Sequence, residues 1–198
     1  MLVSRFLARE IDVLYVGHGS MSARSFNPLH QGHLRLADAA KNLCARRLGV
    51  DADVVFEMSL SNADKGEIPG ETARRRLEQF DAVAAAVVLT RSPLYVDKAA
   101  LLGPCDFVVG ADTASRILDP KYYGETGVDG TLDTILRFGC AFVVAGRLDA
   151  KTGQYVAADA SLVNAPVRHR DMFATLAESD FRVDISSTEL RKKMQQSR

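Results

Sequence analysis

The chain has 198 residues, 47% of them hydrophobic and 25% charged, the composition of one globular domain with room for a core. Lys plus Arg and Asp plus Glu number 25 each. There is thus no overall basic field for nucleic acid, and any affinity for phosphate has to be local. The N-terminal stretch MLVSRFLAREIDVLYVGHGS is interrupted by charges and holds no apolar run near the roughly 20 residues of a membrane span. Cys44, Cys105 and Cys140 are widely spaced and form no CxxC pair, so they read as buried thiols of a reducing compartment rather than a disulfide framework or zinc knuckle. The expectation is a single domain over residues 1–198, cytoplasmic, with no membrane or nucleic-acid partner.

Short β-rich runs alternate with helical patterns along the chain. A strand is expected at 11–16, a helix at 33–48, a strand at 53–60 and a helix at 71–80. Next come a strand at 85–90, a short helix at 98–102, a strand at 106–109, a helix at 132–138 and a strand at 141–145. Runs such as AAAVVLT and CDFVVG are apolar throughout, as in strands buried on both faces of a parallel sheet. The rhythm is that of a doubly wound α/β sheet, which binds ligands at the carboxyl ends of its strands. The last 30 residues depart from it, with a helix expected at 171–178, a short FRVDI strand, and a closing helix from 187. Loops at 63–69 and 119–130 carry Gly, Pro and Lys residues and are the expected substrate-facing segments.

Residues 24–33, RSFNPLHQGH, place two histidines three apart behind an Asn-Pro turn at the head of the first helical pattern. A metal site is one reading, but no third ligand follows at a recognisable spacing. A helix cap with one decorative histidine is another. A third comes from the context of strand, tight turn and helix start: a helix amino end offers free N–H groups and a positive dipole to an anion, and His30 and His33 would donate to phosphate oxygens there. Residues 185–191, ISSTELR, supply a second such place. Ser186 and Glu189 satisfy the S-x-x-E capping box. Ser186, Ser187, Thr188 and Arg191 together exceed what a cap uses and suit a polyphosphate. Two such amino ends point to a clamp around a nucleoside triphosphate.

At these two motifs the sequence resembles the nucleotidylyltransferase superfamily, whose signature is a strand followed by GSFNPxHxGH, with ISSTxIR near the C-terminus. Within it the chain is similar to nicotinamide or nicotinate mononucleotide adenylyltransferases. SNADK at 61–65, LTRSP at 89–93, and GADTASR at 110–116 with DPKYY at 119–123 add to that likeness. The resemblance implies a Rossmann-like sheet with helices on both faces, and a reaction in which the phosphate of a mononucleotide attacks the α-phosphorus of ATP in line and pyrophosphate leaves. Positioning and charge stabilisation would carry such a reaction. His33 would contact the α-phosphate and His30 its neighbours, with Arg191 completing the catalytic set. Arg24, Ser25, Phe26, Gly110, Asp112, Ser186, Ser187 and Thr188 would bind the nucleotide, and Asn62, Lys65 and Arg116 the second substrate. Lys98, Arg91, Tyr122 and Tyr123 would line the base pocket. Mg²⁺ would be held mainly by substrate phosphates.

The family has glycine immediately before Ser-Phe-Asn-Pro, and this chain has Arg24. Arg24 would then add a positive charge near the triphosphate, point to solvent, or obstruct the phosphates and leave a poorly active nucleotide-binding or regulatory protein. Glycines at 17 and 19 lie upstream, so either the first strand ends early, or MSARSF is itself a buried strand and the apolar run before it an added segment. Another phosphorylated acceptor, such as phosphopantetheine or glycerol phosphate, is the alternative within the same chemistry.

Overall fold

The computed structural model describes residues 6, 9, 14–16, 22, 23, 26, 28–49, 51–64, 66–83, 85–149 and 152–183. In chain order the elements begin with β1 (Leu14–Val16), β2 (Ser22–Ala23), α1 (Gln31–Leu48) and β3 (Val55–Ser59). A small hairpin, β4 (Ser61–Asn62) and β5 (Gly66–Glu67), leads to α2 (Gly70–Asp81), β6 (Ala86–Thr90), α3 (Tyr95–Leu102), β7 (Asp106–Gly110) and α4 (Ala111–Ile117). Then follow α5 (Gly127–Arg137), β8 (Ala141–Ala145), a hairpin of β9 (Arg147–Leu148) and β10 (Tyr155–Val156), and β11 (Phe173–Leu176). Short 3₁₀ turns at Ala158–Leu162 and Val167–Met172 precede β11. Among the described residues no helix is long and apolar enough to cross a membrane.

The strands expected at 53–60, 85–90, 106–109 and 141–145 form as β3, β6, β7 and β8, and their alternate residues face two helical layers. On one face Phe56, Met58, Val87 and Leu89 pack with Phe26, with Ala73 and Phe80 of α2, and with Ala37 of α1. Farther along it, Val108, Val143, Ala145 and Leu176 pack on Leu36, Ala39, Ala40 and Cys44 of α1. On the other face Phe107, Val109, Phe142 and Val144 meet Ala99 of α3, Ala114 and Ile117 of α4, and Leu132 and Ile135 of α5. The sheet is therefore doubly wound, as the apolar runs predict. Helix α1 stops at Gly49, whose φ of 67° lets the chain turn left-handed while its N–H closes on the Ala45 carbonyl; a residue with a Cβ rarely adopts that conformation.

Topology fixes where a ligand belongs. β2, β3 and β6 pair in parallel, as do β7, β8 and β11, and β2 lies against β7. The second half of α1 shares a cavity with Asp53 and Val54, before β3, and with Asp106 at the start of β7. Both groups of strands thus begin at the same edge of the sheet and run the same way. The order β6-β3-β2-β7-β8 moves outward from β2, returns, and moves outward again on the other side. Its switch point is between β2 and β7, and in open α/β sheets the ligand crevice opens at the carboxyl ends there.

Three local expectations change. The run at 11–16 does not feed the histidine motif. Its described part, β1, pairs antiparallel to β6 at the edge of the sheet, and β2 pairs parallel to β3 and leads into the motif. The apolar run is thus an added segment, and the strand is within MSARSF. The helix expected at 171–178 is a 3₁₀ turn followed by β11, because Phe173 to Leu176 find a parallel ladder on β8, and a short apolar run takes the structure its neighbours offer. Residues 181–183 of FRVDI form no strand. The closing helix from 187 lies outside the described residues.

Candidate active site

The head of α1 is built from interlocked side chains. Phe26 holds a φ of 40°, uncommon for a residue with a Cβ, and its ring is only 1% exposed. That ring stands edge-on to His33, Phe56 and Phe80, at centroid distances of 5.1, 5.3 and 5.0 Å. It belongs to the core and serves the site by backing the imidazole of His33. Gln79 of α2 clamps the turn from both sides: its Oε1 accepts from the Leu29 N–H at 2.8 Å and its Nε2 donates to the Phe26 carbonyl at 3.3 Å.

His30 is the N-cap, with extended backbone at φ −152° and ψ 167°. Its Nδ1 accepts from the Gly32 N–H at 3.1 Å, and Nδ1 of His33 accepts from the His30 N–H at 3.3 Å. This reciprocal arrangement is a capping box made of two imidazoles in place of the usual Ser and Glu. The rings stack with centroids 3.9 Å apart and planes 25° from parallel. With Nδ1 accepting, a neutral ring carries its proton on Nε2, so the cap sets the tautomer and makes Nε2–H the donor. A Cβ on Gly32 would lie 2.9 Å from Cε1 and Nδ1 of His30 and 3.1 Å from Cγ1 of Val183, so the glycine leaves room for the His30 ring and for the returning chain.

On the neighbouring strand, Gly110 ends β7 and caps α4 with extended backbone. Asp112 stands in the first turn, and its Oδ1 accepts from Nε of Arg147 at 2.8 Å. Arg147 follows β8 and also reaches Asp149 at 3.6 Å. The fold therefore places the histidine cap and the Gly110–Asp112 turn after the two strands that flank the switch point.

The sequence profile of the cytidylyltransferase-like family matches residues 25–193, most of the chain and both motifs. The chain belongs to that family. It is also 30% identical over 132 residues to a protein of Schizosaccharomyces pombe named "Putative nicotinamide mononucleotide adenylyltransferase", an alignment covering 61% of this chain and 49% of that protein. The chain spans about half the length of that curated relative.

The remaining family-derived candidates divide. Arg116 ion-pairs with Asp64, donates from Nε to the Tyr122 hydroxyl at 3.3 Å, and Tyr122 donates to Asp64 Oδ1 at 2.9 Å. This triad ties the end of α4 to the loop joining β4 and β5. Asn62 lies in β4, opposite Gly66. Tyr123 donates to the Ile117 carbonyl at 2.8 Å, and burial pushes its hydroxyl up to about 12, as in a packing corner. Arg91 is held by Glu67 and by the carbonyl and ring of Phe6. Lys98 does not line a base pocket. It is 6% exposed, and its Nζ lies 2.6 Å from Glu57 Oε2, while Glu57 Oε1 accepts from Thr90 at 2.5 Å. Arg24, Ser25, Lys65, Ser186, Ser187, Thr188 and Arg191 lie outside the described residues.

Gln79 and Arg147 have no sequence signature, and nothing in the sequence marks the meeting of Glu57, Thr90 and Lys98. The signal for Glu57 was a lone carboxylate inside an apolar strand, which at that depth requires a partner.

Proposed function

We propose that this chain transfers an adenylyl group from ATP to nicotinamide or nicotinate mononucleotide in the cytoplasm, giving a dinucleotide and pyrophosphate. The observation that carries this reading is the double-histidine cap at the head of α1, beside the switch point of the sheet. It combines an 18-residue helix dipole with two imidazoles of fixed tautomer, which suits phosphate oxygens. The S. pombe likeness and the GADTASR and DPKYY segments support the pyridine mononucleotide as acceptor.

His33 donates from Nε2 to the α-phosphate, where negative charge grows as the acceptor phosphate adds and pyrophosphate leaves, and His30 donates to the adjoining phosphates. Asp112, aimed by Arg147, accepts from a sugar hydroxyl. Val183, two residues before ISSTELR, comes close to Gly32 between the two histidines. In this reading Ser186, Ser187, Thr188 and Arg191 hold the β- and γ-phosphates.

Among the described residues no group of three or more His, Cys, Asp or Glu side chains is placed to hold a metal ion. Mg²⁺ would be carried mainly on the substrate phosphates, where it would supply charge neutralisation. The chain's own donors then orient the complex.

The test is incubation with ATP, Mg²⁺ and a panel of phosphorylated acceptors, following pyrophosphate and product mass. Dinucleotide formation with a pyridine mononucleotide is the expected result. Turnover confined to another acceptor, or ATP binding without pyrophosphate release, overturns it.

A further inference from the structure

At the edge of the sheet opposite the histidine cap, all three cysteines gather. Cys105 immediately precedes β7 and Cys140 immediately precedes β8. The register of these strands pairs Asp106 with Ala141, and the Ala141 N–H donates to the Cys105 carbonyl at 3.2 Å. The two cysteines are therefore opposed on adjacent parallel strands, and their Sγ atoms lie 4.0 Å apart. Strand spacing of about 4.8 Å falls inside the Cα separation of about 4.4–6.8 Å that a disulfide tolerates. Rotation about the Cβ bonds is what bonding would require.

Access differs between the two. Cys105 is half-buried and lines a cavity of about 330 Å³ shared with Lys41, Cys44, Asp53, Asp106 and Gly139. Cys140 is 1% exposed, and its thiol donates to the Gly103 carbonyl at 3.0 Å. A reagent entering the cavity meets Cys105 first and has no comparable path to Cys140. Cys44 also lines the cavity, but it is buried and its thiol donates to Asp106 Oδ2 at 3.4 Å.

We propose that Cys105 and Cys140 form a dithiol–disulfide couple that exchanges with low-molecular-weight disulfides through this cavity. Cys105, as thiolate, attacks one sulfur of the small disulfide. That S–S bond breaks, a mixed disulfide forms on Cys105, and one small thiol leaves. Cys140 then gives up its proton and attacks Sγ of Cys105, expelling the second small thiol and closing the protein disulfide. Two cysteine protons end on the two small thiols, and the small disulfide is the oxidant. Burial and the neighbouring thiol push Cys105 up from its ordinary range, so the couple forms slowly at neutral pH.

The experiment treats the full chain with oxidised glutathione and follows intact mass, thiol count and the linked peptides. The wild type should lose two hydrogens and two titratable thiols, retain no glutathione, join the Cys105 and Cys140 peptides, and revert with dithiothreitol. Cys44→Ser should behave identically. Cys140→Ser and Cys140→Ala should both stop with one glutathione on Cys105, and Cys105→Ser and Cys105→Ala should take up none at this cavity. A cross-link through Cys44, stable glutathione on the wild type as the end product, or an inert native protein under conditions that oxidise a reference dithiol overturns the proposal.

Discussion

His33 and Lys98 are equally buried, each 6% exposed, and lie on opposite faces of the same half of the sheet. Lys98 sits under α3, its charge answered by Glu57, whose second oxygen is taken by Thr90. His33 sits beneath the amino end of α1, with Nδ1 on a backbone N–H and its ring backed by Phe26. The first arrangement closes on itself. The second fixes one nitrogen and thereby determines what the other presents. Equal burial thus hides different partners, a carboxylate for Lys98 and a backbone N–H for His33, and the reactive role proposed for His33 has to be tested against the structural role of Lys98.

Breaking the closed cluster should give the largest effect on stability. Lys98→Met strands the Glu57 carboxylate and should destabilise by about 3–5 kcal/mol in denaturant unfolding. Combining it with Glu57→Gln, which still accepts from Thr90, should recover most of that loss and leave turnover near wild type. A harmless Lys98→Met would end the contrast between the two sites. His33→Ala should do the converse. Pyrophosphate release should fall by about a hundredfold or more, while stability drops by about 1 kcal/mol, the cost of a lost cap.

Gln79 provides a sharper intermediate case, since it holds the turn that leads into the histidine cap. Gln79→Leu should slow turnover roughly tenfold, the rate equivalent of one or two ordinary hydrogen bonds. Pyrophosphate release by a folded variant, checked by circular dichroism, measures it. The smallest effect concerns a surface carboxylate over a buried imidazole, where Asp133 accepts from His169 and Arg168 and its carboxyl is held below the usual range, chiefly by His169. A lowered folded value stabilises above the unfolded value and is lost as pH falls through the folded one. The difference in thermal midpoint between wild type and Asp133→Asn should therefore be present at neutral pH and close below about pH 4.

The sequence made legible what is local. The apolar runs at 85–90, 106–109 and 141–145 became β6, β7 and β8, and the histidine motif fell at a helix head. The helix begins at Gln31 rather than at His33 because His30 caps it, and an imidazole in place of a short hydroxyl or carboxylate is not a cap that sequence marks. What was hidden depends on partners distant in the chain. Lys98 finds Glu57 from 41 positions away, Cys140 meets Cys105 from 35, and Phe173 to Leu176 become a strand only because β8 offers them a ladder. β2, two residues long, is too short for periodicity to mark. Its place is decided by pairing with β3.

Gly32 is a helical glycine, and replacing such residues with alanine is an ordinary route to a sturdier protein, worth about 1 kcal/mol in a helix interior. A thermostability survey of this chain would select it early. At this position the added methyl meets the His30 ring and Val183, and the ring can yield only by leaving the backbone N–H it caps. Position 32 is thus a place where breeding for robustness and breeding for chemistry pull the same codon in opposite directions.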